Sequence, residues 1–199
     1  MFSYYGSKAK LAKYYPKPTY PLVIEPFAGA AWYSIVNKSK LTYLLDINPT
    51  IAGLWKWDFL GFSINRGTAS PRNIVQKWSA QVTSRPTWAS TTRFAIDRAI
   101  SLLPLIKNWT ITQESYERSF LVEATWFIDP PYQHGGNHYK FADIDYIELA
   151  KWVSNLKGQV IVCGSIMDTW LPFEPLSVNG RITGQRSVNG EAVCLIESR

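Results

Sequence analysis

The stretch Leu22-Val23-Ile24-Glu25-Pro26-Phe27-Ala28-Gly29 decides the fold. A short apolar run halted by Pro26 has the pattern of a buried strand, and a helix expected over 30–37 opens directly after Gly29. The same succession follows at once. Leu41 to Leu45 reads as a second strand closed by Asp46. A helix with Asn48 as N-cap and Pro49 in its first position then runs through Trp57 and Phe59. Strand–helix alternation implies a mostly parallel sheet with right-handed crossovers, and places ligands at the carboxyl ends of its strands. The polar and glycine-bearing punctuation falls at those ends, in Glu25 to Gly29, Asp46 to Asn48 and Asp129 to Tyr132.

Outward from this unit the rhythm breaks and then resumes. The stretch 61–107 carries Arg66, Arg72, Lys77, Arg85, Arg93, Arg98 and Lys107 against one acid, Asp97, with helices expected from Ser70-Pro71 through Trp78 and over 93–106. Strands follow over 109–112 and 126–128, the latter ending at Asp129. An amphipathic helix over 144–156 can set Ile144, Ile147, Trp152, Val153 and Leu156 on one side. A strand over 160–163 is bounded by Gly158 and Gly164. The turn dipeptides Asn179-Gly180 and Asn189-Gly190 and a last strand over 192–196 give the chain an antiparallel end. The expected fold is α/β and Rossmann-like. A catalytic domain is formed by 1–60 and 108–199, and a small helical region, 61–107, is inserted in it.

The composition is that of one globular domain, with 199 residues, 46% hydrophobic and 18% charged. The net charge of +6 suits an anionic partner without demanding one. Two cysteines, Cys163 and Cys194, both in apolar runs, exclude a disulfide scaffold and point to a reducing compartment. With two histidines beside them, no multi-ligand metal site is expected. The lysine-bearing start has no apolar h-region, so a soluble, cytoplasmic protein is expected. Most of the nine tryptophans are expected in the core.

The most specific chemistry lies in Asp129-Pro130-Pro131-Tyr132. Each proline fixes its own φ and restricts the residue before it, so Asp129 and Pro130 are held extended. A carboxylate and a carbonyl become rigid acceptors beside an aromatic ring, an arrangement that suits the exocyclic amino group of a base. The reading expects the Tyr132 ring face to stack on that base and its hydroxyl to be dispensable. Phe27-Ala28-Gly29 lets backbone approach a ligand at a helix start. Asp46 ends its strand where an acid accepts hydrogen bonds from ribose hydroxyls. His134 and His138 flank two glycines just after the proline motif, in a segment able to close over a base or to remain a solvated loop. Lys8, Lys10, Lys13 and Lys17 form a second basic run.

Taken in order, Phe2-Ser3-Tyr4-Tyr5-Gly6-Ser7-Lys8, Glu25-Pro26-Phe27-Ala28-Gly29, Asp46-Ile47-Asn48 and Asp129-Pro130-Pro131-Tyr132 resemble the motifs of the Dam-type, alpha-class adenine-N6 DNA methyltransferases. The ending Glu191-Ala192-Val193-Cys194-Leu195-Ile196 resembles that family's last sheet strand. The resemblance implies a methyltransferase sheet and S-adenosylmethionine as methyl donor. It places Tyr5, Gly6 and Lys8 beside the cofactor, with Lys8 near its carboxylate. Glu25, Phe27 and Gly29 belong to the cofactor loop, Asp46 and Asn48 to the ribose side, and Gln113 and Glu114 to the loop near the cofactor's adenine. Asp129, Pro130, Pro131 and Tyr132 would hold the target adenine, and Arg66, Arg72, Lys77 and Arg85 would face double-stranded DNA. The chain departs from the family in having Ala31 where a second glycine is common, and in a short inserted region. A monomer is expected, and the compact chain suits a bacterial or phage origin. Methylation of another planar amine, such as cytosine N4, an RNA base or a protein glutamine, stays open beside the adenine reading. So does a catalytically silent binding module.

Overall fold

The computed structural model describes residues 8–56, 100–118, 121–134, 139–178, 181–182 and 190–197. Its centre is a seven-stranded sheet. The strands are β1 (Leu22–Glu25), β2 (Leu41–Leu45), β3 (Thr110–Thr112), β4 (Glu123–Ile128), β5 (Lys157–Ser165), β6 (Glu174–Pro175) and β9 (Glu191–Glu197). Their order is β3-β2-β1-β4-β5-β9-β6, and the pairs among β1 to β5 are all parallel. β9 runs antiparallel between β5 and β6, and a separate hairpin pairs β7 (Ser177–Val178) with β8 (Arg181–Ile182). The fold is thus mixed α/β and Rossmann-like, with its topological reversal between β1 and β4. Among the described residues no helix is long and apolar enough to cross a membrane.

Alternation along each strand feeds two faces. On one face Ile24, Leu45, Trp126, Ile128, Val160 and Val162 pack with Leu149 and Val153 of α3 (Tyr146–Ser154). On the other, Leu44 packs with Ile35 of α1 (Trp32–Val36), with Ile51 and Trp55 of α2 (Pro49–Lys56), and with Trp109. Phe127, Ile161 and Cys163 extend that face toward Tyr15 and Tyr33, whose ring stacks on Phe127 at 4.2 Å. Residues 100–106 are helical, and Leu102, Leu105 and Ile106 pack against the Trp55–Trp109 cluster. The described end of the stretch read as an insertion thus packs against the core. Residues 57–99 lie outside the described residues, and with them Arg66, Arg72, Lys77 and Arg85.

Several elements match their expected bounds, and the mismatches have local causes. β1 and β2 begin and end where the apolar runs do. Asn48 caps α2 by accepting the Thr50 N–H at 3.0 Å. α1 starts later than expected because Gly29 (φ 44°) and Ala31 (φ 45°) take left-handed backbone. β5 runs through both Gly158 and Gly164 and is not stopped by them. A Cβ at Gly158 would lie 2.3 Å from the Ala124 carbonyl oxygen of β4, and one at Gly164 would lie 2.6 Å from the Phe173 ring. Those glycines mark close approach within the sheet. Ile147, expected on the buried side of α3, is 69% exposed. The helix begins at Tyr146, two residues later than expected, capped by Asp145, whose carboxylate accepts the Ile147 and Glu148 N–H groups, and the buried side is carried by Leu149 and Val153. Cys163 and Cys194 are both buried free thiols.

Candidate active site

The carboxyl ends of β1, β2 and β4 open on a cavity of about 630 Å³. Described residues of all four motifs meet there. Glu25, Phe27 and Gly29 line it from β1, Asp46 and Asn48 from β2, Asp129 and Pro131 from β4, and Lys8 from the first 3-10 turn (Lys8–Lys10). Tyr5 and Gly6 lie outside the described residues.

The β1 loop is fixed by hydrogen bonds on both sides. Asp46 accepts the Gly29 N–H at 3.0 Å and the Asn48 N–H at 2.9 Å, one on each oxygen, so a single carboxylate ties the β1 and β2 loops together. Trp55 of α2 donates its indole N–H to the Gly29 carbonyl at 2.9 Å. Burial pushes the Asp46 carboxyl up to about 6, against the pull of those two N–H groups. Glu25, 2% exposed, accepts the Ser34 N–H of α1 at 2.9 Å. Burial raises it to about 7, with the Ser34 bonds pulling it down and Asp129 adding to the rise. Glu25 is therefore a helix-start acceptor as well as a wall of the cavity.

The β4 end holds a buried ionic cluster. The Lys8 ammonium lies 3.0 Å from Asp129 Oδ1 and 3.2 Å from Glu191 Oε1, and 4.7 Å from the centre of the Tyr132 ring. Burial presses the ammonium down, but Asp129 and Glu191 outweigh it and hold Lys8 well above the usual lysine range. Asp129 is pushed up to about 6, by burial first, with Lys8 opposing and Glu191 adding to the rise. Lys8, expected beside a cofactor carboxylate, lines the cavity while its ammonium pairs with two of the chain's own acids.

Tyr132 differs most from its expected place. Its hydroxyl donates to Glu191 Oε1, its ring packs with the Phe127–Ile161 cluster, and among the described residues the motif lines the cavity through Asp129 and Pro131. The hydroxyl read as dispensable is engaged. The Pro131 carbonyl accepts the Tyr146 hydroxyl at 2.8 Å, and Pro130 is buried. The loop leaves the motif under restraint: His134 offers its N–H to Asp168 at 3.0 Å, with its ring nitrogen 3.2 Å from the same oxygen. Asp168 also accepts the Ser165 N–H at 2.9 Å. His134 is thus an anchor, while His138 lies outside the described residues.

The loop after β3 reaches the cavity two residues later than expected. Glu114 turns to Arg118 and to the Thr112 hydroxyl, and Ser115, Tyr116 and Glu117 line the wall in place of Gln113 and Glu114. Tyr116 stacks on Phe27 with ring centres 5.3 Å apart. The far wall, Tyr139 to Asp145, comes from the segment that leads into α3. Sequence reasoning missed Tyr116, Asp168 and the role of Glu191. The one available signal was position, since each follows or begins a strand at the ligand-bearing edge.

The chemistry of the walls fits a cationic, partly aromatic ligand. Carboxylates at Glu25, Asp46, Asp129 and Asp143 face it against ammonium groups at Lys8 and Lys140. Each Asp46 oxygen accepts one N–H and retains room for another donor, such as a ribose hydroxyl.

No protein-family model matches the chain, and no curated protein matches it. Among solved structures it is similar to a conserved hypothetical protein of Streptococcus pyogenes, at 13% identity over 94% of this chain and 89% of the other, with a TM-score of 0.46. A candidate methyltransferase, yhhF of Escherichia coli, matches at 12% identity over 89% and 76% of the two chains, with a TM-score of 0.41. A SAM-dependent methyltransferase of Neisseria gonorrhoeae matches at 14% identity over 94% of this chain and 64% of the other, with a TM-score of 0.35.

Proposed function

We propose that the chain transfers a methyl group from S-adenosylmethionine to the N6 amino group of an adenine extruded from double-stranded DNA. The observation that carries this reading is the position of Asp129. Its carboxylate sits at the end of β4, held extended by two prolines, in the wall of the cavity that Gly29 and Asp46 also line. The order of motifs along the chain supports the same reading. Bound in the cavity, S-adenosylmethionine would supply a methyl group on a positively charged sulfur. Asp46 and the Gly29 loop would hold it, with Tyr116 and Phe27 forming the apolar part of its wall.

The N6 lone pair is conjugated into its ring and is a weak nucleophile. Asp129 and a carbonyl of the proline motif accept its two N–H bonds and favour a more tetrahedral nitrogen. As the nitrogen gains positive charge the Asp129 carboxylate stabilises it, in a site with little water to screen the interaction. The surplus proton passes to Asp129, whose raised affinity for it, near 6, suits an acceptor that must also release it at neutral pH. Alignment of the reacting groups supplies much of the remaining rate. The base has to leave the duplex to reach this depth. The acidic cavity repels phosphate, so the duplex backbone is assigned to the basic stretch 61–107 and its Arg66, Arg72, Lys77 and Arg85.

The test is incubation of the full chain with methyl-labelled cofactor and a mixture of DNA, RNA and protein, followed by nucleoside and amino-acid analysis. Label in N6-methyladenine of DNA, lost in Asp129→Ala, is the expected result. Label in cytosine, RNA or protein would replace the acceptor, and no transfer to any acceptor with cofactor still bound would overturn the reading.

A further inference from the structure

Glu191 opens β9, the antiparallel strand, and lies behind the site and not in its wall. Its Oε1 is a meeting point for three elements. It accepts the hydroxyl of Tyr15, which follows the second 3-10 turn, and the hydroxyl of Tyr132, and it pairs with Lys8 at 3.2 Å. Lys8 in turn reaches Asp129 at 3.0 Å. Every link is largely withdrawn from water: the side chains of Lys8, Glu191 and Asp129 are 8%, 13% and 21% exposed, and Tyr15 is 3% exposed. The Cys163 thiol, on β5 across from Val193, completes the surroundings and is fully buried.

We propose that Glu191 is a positioning residue for Asp129: by holding the Lys8 ammonium and the Tyr132 hydroxyl on one oxygen, it sets how much of the Lys8 charge the Asp129 carboxylate receives. The inference rests on the methyl-transfer reading for what Asp129 does, but not for the cluster itself. Two carboxylates share one ammonium. Charge drawn to Glu191 is charge withheld from Asp129, and in a buried site such a division is screened little by solvent. The two tyrosine hydroxyls satisfy part of Glu191's demand and so draw less of the Lys8 charge away from Asp129. Tyr132 is the residue through which this balance also shapes the proline motif, since its ring lies against Lys8 and its hydroxyl on Glu191. Burial and Glu191 both raise Asp129, while Lys8 lowers it, in agreement with that division.

The experiment follows Asp129 directly. The full chain is labelled with carbon-13 at Asp and Glu carboxyls and titrated by NMR, with Asp129→Asn giving the assignment. Glu191→Gln removes a like charge and releases Lys8 to Asp129, so the Asp129 midpoint should fall by about one pH unit. The acidic limb of the methyl-transfer rate profile should fall with it. A residue with a purely structural role would change stability and leave the midpoint in place, so an unchanged or raised midpoint in a folded Glu191→Gln protein overturns the proposal. If that variant does not fold, Tyr15→Phe decides. It removes one donor from Glu191, draws Lys8 away from Asp129, and should raise the midpoint; no rise overturns the proposal. The NMR readout needs no turnover, so failure of the DNA-methylation reading would show in label transfer and not here.

Discussion

Asp129 and Tyr132 stand three residues apart in one motif and serve different ends. Asp129 faces the cavity, and Asp129→Ala should cut single-turnover methyl transfer by about a hundred- to a thousand-fold, the usual loss for one preorganised polar group. Lys8 stays paired with Glu191 in that variant, so the fold should persist and the cofactor should still bind, as calorimetry would show. Tyr132→Phe tests the opposite side of the motif. The sequence alone expects tolerance, because a phenylalanine keeps the ring. The structure adds a cost in stability: the variant leaves the half-buried Glu191 carboxylate with one donor fewer, a loss of roughly 1.5–3 kcal/mol, the scale for a hydrogen bond to a charged group. A urea midpoint equal to the parent's would mean that the hydroxyl bond contributes nothing. Ala31 shows how competing terms cancel. Its left-handed backbone costs about 1–2 kcal/mol. Glycine in its place would add about 0.4–1 kcal/mol of unfolded-chain entropy and give up about 0.8 kcal/mol of buried methyl. Ala31→Gly should therefore leave stability nearly unchanged, and paired urea curves would show it.

At the scale of elements, β5 is the longest of the described strands, nine residues, paired with β4 on one edge and β9 on the other. Gly158 and Gly164 both sit inside it, but they should respond differently to a methyl group. At Gly158 the obstacle is the Ala124 backbone and φ is +102°, so neither neighbour nor residue can yield. At Gly164 the obstacle is the partly exposed Phe173 ring, which can rotate. Gly158→Ala should cost about 3 kcal/mol or more and Gly164→Ala about 1 kcal/mol, near the two ends of the overpacking range, in paired chemical-denaturation curves. These two glycines also mark where the sequence stops being legible. An apolar run and a closing acid carry their own information, which is why β1, β2 and the capped start of α2 could be read residue by residue. A glycine inside a strand looks like punctuation until the neighbour that needs the space is known, and that neighbour, Ala124, is far off in the chain. The site divides in the same way. Gly29, Asp46 and Asp129 were legible because each lies in a segment that follows a strand at the edge where parallel sheets bind ligands. The inward turn of Tyr132 was not, because it depends on Glu191, 59 residues away, and on the register that sets β9 against β5.

For the whole molecule the decisive feature is that three raised carboxyls, Glu25 at about 7 and Asp46 and Asp129 at about 6, surround one cavity. An acid raised on folding binds more protons in the native than in the unfolded chain. Its stabilising contribution is complete below the unfolded value, near 4, and is lost as pH rises through the folded value. These groups should therefore make the protein less stable as pH climbs from about 4 to 8. For Glu25, 2% exposed, the shift from 4.5 to about 7 corresponds to roughly 3 kcal/mol. Glu25→Gln keeps an oxygen for the Ser34 N–H. It should gain about 1–2 kcal/mol near pH 8, and the gain should vanish near pH 4. Equal slopes of stability against pH in the two proteins would remove Glu25 from this account. The same feature bears on the ligand. A cation entering the cavity lowers all three acids together, so its binding releases protons, and its affinity rises with pH across the window from about 5 to 8. S-adenosylmethionine carries a positive sulfur, whereas S-adenosylhomocysteine, left after transfer, is neutral there. Calorimetry across that window should find the affinity of the first rising more steeply than that of the second, with proton release visible as a dependence of the binding heat on buffer ionisation. The difference would favour exchange of spent for fresh cofactor at neutral pH. Parallel affinity curves for the two ligands would mean that the three carboxyls do not face the sulfur.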